Sequence, residues 1–159
     1  MASDLSDLLH PDLVEVGVAA TNKKNLFQQL GLRAASVLEV DGPAVAQALA
    51  EREKLGSTGF GGGVAIPHAR IAGLSRIVVI ITRLAQPIEF QAVDDMPVDM
   101  VVTMLSPPRA GTDHLKALAR VSRRFRDRAF VAKLRGAGSR DAIYALLTAD
   151  EPGNARDAA

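Results

Sequence analysis

The sequence predicts an α+β fold, one sheet with helices packed against it. Three observations carry this: a period-two alternation near the N-terminus, β-branched apolar runs mid-chain, and apolar residues at helical spacing on either side of those runs. The elements read in the order β-α-α-β-β-β-α-α-α.

Residues 13–18 (LVEVGV) alternate apolar and polar, the pattern of a strand with one buried face. Thr21 is the predicted N-cap of a helix running to about Leu38, with Leu26, Phe27, Leu30 and Val37 inward. Gly42-Pro43 opens a second helix, since proline suits a first turn; Val45, Ala46 and Leu49 face inward and Gly56 follows its end near Lys54. Residues 56–63 hold five glycines in eight, which predicts a loop. Residues 76–84 (RIVVIITRL) predict a buried strand, 87–90 a short edge strand, and 98–105 (VDMVVTML) a central strand stopped by Pro107-Pro108. Thr112 then caps a helix with Leu115, Leu118, Val121 and Phe125 on one face. A short helix near 129–134 and a last one from Ser139, burying Ile143, Leu146 and Leu147, complete a single domain over 1–150. The polar residues 151–159 are expected to be disordered.

Bulk properties exclude several function classes. At 159 residues, 48% hydrophobic and 23% charged, the chain can bury a core and is not disordered by composition. Net charge of +1 gives no global case for nucleic acid or an acidic membrane. Basic residues crowd into 120–135, read as a solvated helix face. The absence of cysteine removes disulfides, thiol catalysis and Cys-based metal sites. Neither a secretory signal nor a membrane-length apolar run is visible, so a cytoplasmic location without membrane insertion is expected.

Chemistry concentrates in residues 57–70, STGFGGGVAIPHAR. Pro67 fixes its own φ and biases Ile66 toward extended backbone, so His68 stands on a stiff stem. The glycine-rich stretch can turn backbone N–H groups toward one point, and the Ser57 and Thr58 hydroxyls add donors. A positioned imidazole beside an anion cradle suits nucleophilic phosphoryl transfer. Only a bare ring nitrogen can attack phosphorus, so the other must donate its hydrogen to a fixed acceptor. His114, in the first turn of its helix, would be kept neutral by the helix dipole and act as a directional donor. Arg52 could offer its fork of donors to phosphate oxygens, held by the bracketing acids Glu51 and Glu53. The stretch lacks the lysine of a P-loop and does not fit the dinucleotide fingerprint. His10, beside Pro11 in a turn, reads as structural, and the three histidines have no metal-site spacing. No cofactor or metal is expected.

Residues 52–61 (REKLGSTGFG) leading to 64–68 (VAIPH) resemble the signature of the enzyme IIA domains of the bacterial phosphotransferase system, in the mannitol/fructose/nitrogen-regulatory branch. Residues 112–119 (TDHLKALA) resemble that family's second histidine block, and PIEF at 87–90 and DDMPVD at 94–99 also match. The resemblance spans about residues 5–148. It implies a three-layer α/β/α sandwich around a mixed sheet, phosphorylation of His68 through Nε2, and Arg52 and His114 as neighbours of the phosphoryl group. It further implies an HPr-like phosphocarrier protein as donor. Family members commonly carry glycine where Ala69 stands, which bears on loop geometry or partner approach.

With no fused membrane or IIB segment in the chain, the nitrogen-regulatory member is the expected type, signalling by contact with regulatory targets such as a sensor kinase or ion transporter. The alternatives are a sugar-specific enzyme IIA passing phosphate to a IIB domain, a non-phosphorylated interaction module, and, more remotely, a metal-dependent hydrolase.

Overall fold

A computed structural model of the chain describes residues 5–149. The tail expected to be disordered, 151–159, lies outside the described residues. The elements are β1 (Leu9–Val18), α1 (Lys23–Leu38), α2 (Gly42–Lys54), β2 (Gly59–Gly61), β3 (Val64–Ala65), β4 (His68–Arg70), β5 (Val78–Ile88), β6 (Val98–Ser106), α3 (Thr112–Arg126), α4 (Arg128–Gly136) and α5 (Arg140–Thr148).

The strands form one mixed six-stranded sheet in the order β1-β5-β6-β3-β2, with β4 also on β6. β6 is its spine. On one side β5 runs antiparallel to it; on the other, β3 and then β4 run parallel. Val64 lies opposite Met100, and His68 opposite Met104. Between these segments Pro67 has no N–H to give, yet its carbonyl still accepts from Met104 N at 2.9 Å. The histidine is thus carried on a strand that proline interrupts and β6 holds in register.

Both faces of the sheet are covered, which is why its central strands are mostly apolar. Val78 and Ile80 pack with Leu26, Phe27, Leu30, Val45 and Leu49 of α1 and α2. Val79 and Ile81 pack with Val121, Phe125, Phe130, Leu134, Ile143 and Leu147 of α3, α4 and α5. This is the three-layer α/β/α sandwich around a mixed sheet that the resemblance implied.

Several local expectations are corrected. The N-cap of α1 is Asn22, not Thr21: Asn22 Oδ1 accepts from Asn25 N at 2.9 Å, and Asn25 Oδ1 accepts from Thr21 N at 3.1 Å. That reciprocal pair follows capping-box logic, with Thr21 contributing only its backbone. The cap of α3 is Gly111 (φ 58), which turns the chain so that Thr112 is already helical and its hydroxyl caps nothing. The buried face of α3 is accordingly His114, Ala117, Val121, Arg124 and Phe125, and Leu115 is 63% exposed. The glycine-rich stretch contains strands: β2 pairs antiparallel with β3 through a turn at Gly62 (φ 67) and Gly63 (φ 79). Residues 87–90 make no separate edge strand, because β5 continues through a register shift to pair Ile88 with Val98.

Of the basic stretch 120–135, only part is a solvated face. Arg120 pairs with Asp7 at 2.7 Å, Arg124 is buried over the Phe130 ring, and Arg135 binds Asp99 at 2.7 Å while donating to Gly62 O. The last contact ties the β2–β3 turn to α4.

The position of α2, which carries Arg52, depends on a close crossing with α1. A Cβ on Gly42 would lie 2.8 Å from the Gly31 carbonyl oxygen, and one on Gly31 would collide with the Gly42 carbonyl. Gly31→Ala is therefore expected to lower the unfolding free energy by about 1–3 kcal/mol through overpacking. Gly138→Ala, where an added Cβ meets nothing, should stay within about 0.5 kcal/mol of the parent. Urea denaturation of both variants checks this.

Candidate functional site

The stem of His68 is held at three points. Ile66 N donates to Thr58 O at 3.0 Å, Pro67 O accepts from Met104 N, and β4 pairs with β6. At the ring, Nδ1 lies 2.8 Å from the Ile66 carbonyl oxygen. A carbonyl can only accept, so Nδ1 carries the hydrogen and Nε2 keeps a bare lone pair. Arg52 Nε–H donates to that Nε2 at 3.3 Å, consistent with the same tautomer. Burial pushes the His68 pKa below the ordinary imidazole value; the Ile66 carbonyl opposes this, the Arg52 charge adds to it, and Glu53 opposes. The ring is neutral and nucleophilic near pH 7.

His114 occupies the first turn of α3 and is buried. Its ring centroid lies 5.8 Å from that of His68, tilted by 54°. Nδ1 sits 2.7 Å from Ser106 Oγ at the end of β6. Burial leads in pushing the His114 pKa down, followed by the Arg70 charge and by the His68 ring when it is protonated. Arg70, on β4, donates to Gly111 O at 3.3 Å, tying the histidine strand to the start of α3.

Arg52 comes to the site from the last turn of α2, with Nη1 donating to Gly56 O at 2.9 Å. The bracketing acids do not hold it. Glu51 accepts from Gln47, and Glu53 turns away to Lys23 and Thr58. Arg52 is steered instead by a backbone carbonyl and by the histidine itself. The hydroxyls of Ser57 and Thr58 are engaged elsewhere: Ser57 Oγ donates to Phe90 O at 2.7 Å and Thr58 Oγ1 to Glu53 at 2.6 Å. They brace the loop rather than face the imidazole.

The structure thus brings together His68, Arg52 and His114, while the Ser57 and Thr58 hydroxyls go to Phe90 O and Glu53. Ser106 and Arg70 are additions. Ser106 reads in sequence only as a strand end before two prolines, so nothing there pointed to an imidazole partner. His10 is remote in role, its Nδ1 accepting from Asp12 N at 3.1 Å.

Chemically, the site holds a neutral imidazole with one free nitrogen, a permanent cation beside that nitrogen, and a second neutral imidazole. That set can form a bond to phosphorus and stabilise the oxygens around it.

Comparison with known proteins identifies the family and the fold. Residues 7–150 match the model of the family described as phosphoenolpyruvate-dependent sugar phosphotransferase system, EIIA 2. The chain is 41% identical to a nitrogen regulatory protein of Bradyrhizobium diazoefficiens, over 90% of this chain and 94% of that one. It is 32% identical to a PTS system fructose-specific EIIA component of Haloferax volcanii, over 91% and 95%. Among solved structures, the nitrogen regulatory protein IIA-Ntr of Neisseria meningitidis superposes with a TM-score of 0.84 at 32% identity, covering 91% of this chain and 99% of that one. IIA mannitol of Escherichia coli shares the fold, with a TM-score of 0.73 at 20% identity over 87% and 97%. The chain belongs to the enzyme IIA type 2 family of the phosphoenolpyruvate-dependent sugar phosphotransferase system and is a phosphotransfer component.

Proposed function

We propose that His68 Nε2 accepts a phosphoryl group from the phosphohistidine of an HPr-like carrier and holds it as part of a nitrogen-type regulatory system. One observation carries this: the hydrogen bond from Nδ1–H to the Ile66 carbonyl, which leaves Nε2 bare beneath Arg52.

The transfer needs few parts. The N–P bond of the donor breaks as a bond from phosphorus to Nε2 forms. The His68 ring gains positive charge in that step, and the Ile66 carbonyl, already at Nδ1–H, stabilises it. Before transfer, the Arg52 Nε–H occupies the Nε2 lone pair; as phosphorus takes that lone pair, Arg52 passes to the phosphoryl oxygens. Ser106 Oγ–H donating to His114 Nδ1 would leave Nε2–H of His114 as a second donor to those oxygens. Two donors of this kind supply the electrostatic part of catalysis.

The regulatory reading is supported by the relatives, since the 41% and 37% identity to two proteins named nitrogen regulatory exceeds the 32% to the fructose-specific component. Phosphorylation would add a charge of about −1.5 to −2 among Arg52, Arg70 and the exposed Leu55 and Leu115, giving regulatory targets a means to tell the two forms apart. In the sugar-specific alternative the phosphoryl group would pass on to a IIB domain.

Incubation with phosphorylated HPr-like donors should label the protein at one acid-labile phosphate, which His68→Ala abolishes. Uptake by His68→Ala would refute the assignment, whereas partner capture by a protein that no donor labels would support a pure interaction module. Arg52→Gln should slow uptake by about 100-fold, the scale for losing one preorganised donor. Because burial lowers the His68 pKa, the nucleophile becomes protonated at a lower pH than an ordinary imidazole. Uptake rates should therefore fall on acidification with a midpoint below 6.5, the ordinary value, read from a stopped-flow pH profile with the titration of the donor subtracted.

A further inference from the structure

Beneath the histidine runs an unbroken series of hydrogen bonds that begins at an acid one residue from Arg52. Glu53 has a side chain only 6% exposed, too buried for a solvated surface charge. Its Oε1 accepts from Thr58 Oγ1 at 2.6 Å and its Oε2 from Thr58 N at 3.1 Å, so the carboxylate grips Thr58 by two donors. Lys23, from α1, supplies the counter-charge at 2.8 Å from Oε2 and also lies over the Phe90 ring at 4.8 Å. The Thr58 carbonyl in turn accepts from Ile66 N at 3.0 Å, and the Ile66 carbonyl faces His68 Nδ1 at 2.8 Å.

We propose that Glu53 is a positioning residue for the phosphoryl acceptor: by gripping Thr58 it fixes the peptide whose carbonyl keeps the hydrogen on His68 Nδ1, with Lys23 as its counter-ion. The proposal rests on the reading of His68 as the acceptor. It follows from what the tautomer requires. The two tautomers of an imidazole are close in energy, so the choice of Nε2 as the bare nitrogen leans on an acceptor standing at Nδ1 in a fixed orientation, with the Arg52 donor at Nε2 favouring the same choice. That acceptor is a backbone oxygen, and its direction is set by the Ile66 peptide. Pro67 stiffens one side of Ile66; on the other, β3 pairs with β2 and β6, and the Ile66 N–H itself is held by the Thr58 carbonyl. Thr58 sits in a stretch bounded by Gly56 and Gly59, where backbone stiffness is least, so its position depends on what its side chain and N–H hold. Both hold Glu53.

The same helix turn therefore serves the site twice. Arg52 reaches Nε2 directly, and Glu53 governs Nδ1 from beneath through Thr58 and Ile66. Glu53 cannot be exchanged for its amide without loss. A glutamine in its place would keep one acceptor oxygen for two Thr58 donors and would turn an NH2 toward Thr58 or toward Lys23.

The test reads the ring itself. Long-range 1H–15N spectra of the unphosphorylated protein report which His68 nitrogen carries the hydrogen, and the parent should show Nδ1–H alone. In Glu53→Gln, and to a smaller extent in Thr58→Val, which removes only the hydroxyl bond, the His68 nitrogen shifts should move toward a tautomer average. Uptake from an HPr-like donor should slow about 10-fold or more, the scale on which outer partners of an oriented imidazole act. Glu51→Gln, on the same helix but bonded among the described residues to Gln47, serves as the charge control and should match the parent. If Glu53→Gln fails to fold, Thr58→Val decides. The proposal is overturned if folded variants retain pure Nδ1–H on His68, or if Glu51→Gln shifts the ring as much. The tautomer is read without a donor, so failure of His68 to take phosphate would count against the acceptor reading alone, leaving the spectra to decide on Glu53.

Discussion

The hydrogen bond between His68 Nδ1 and the Ile66 carbonyl is the contact on which the rest of the site depends. A histidine offers two nearly equivalent nitrogens, and only the arrangement around one of them decides which is left to react. Here a backbone oxygen at Nδ1 makes the shorter contact, and the Arg52 side chain, donating to Nε2, favours the same tautomer. A carbonyl does not titrate and does not rotate independently of the chain, so the tautomer is tied to the fold itself. Arg52 then donates to the nitrogen this contact leaves without a hydrogen, and the His114 ring stands beside the same imidazole.

Much of the architecture can be understood as support for that oxygen. β6 carries β3 and β4 in one register on either side of Pro67, so the Ile66–His68 segment is pinned at both ends. The crossing of α1 and α2 at Gly31 and Gly42 sets the end of α2, and with it Arg52. Arg70 joins β4 to the turn before α3, which delivers His114. The sheet is covered on both faces, and the site lies where strand ends, a glycine-rich hairpin and a helix start converge. There short polar contacts can be kept without disturbing either core.

The sequence conveyed the layers well and the hinge points poorly. The runs at 78–84 and 98–105 were legible as strands because burial on both faces makes them mostly apolar and β-branched residues are frequent in them. Helix starts were legible at Gly42-Pro43 and Ser139 but misassigned at Thr21 and Thr112. In each of those cases a neighbouring residue took the cap: Asn22 through a reciprocal pair with Asn25, and Gly111 through a positive φ that no periodicity reports. The error at Thr112 also rotated the expected face of α3, exposing Leu115 and burying His114. The short strands β2, β3 and β4 were hidden because glycine and proline, read alone, argue against strands, whereas pairing with β6 supplies the order that local propensity lacks. At the site, His68, Arg52 and His114 were readable from spacing and resemblance. Which donors and acceptors they meet was not, since Ser106, Ile66 O and Gly56 O become partners only through the folded backbone.

The central claim concerns an atom, and the most direct measurement addresses that atom. Phosphorylated protein labelled with 15N at histidine can be examined by 31P–15N coupling. The account predicts phosphorus bonded to Nε2 of His68, with Nδ1 still carrying its hydrogen toward Ile66. Coupling of phosphorus to Nδ1, or to either nitrogen of His114, would contradict it.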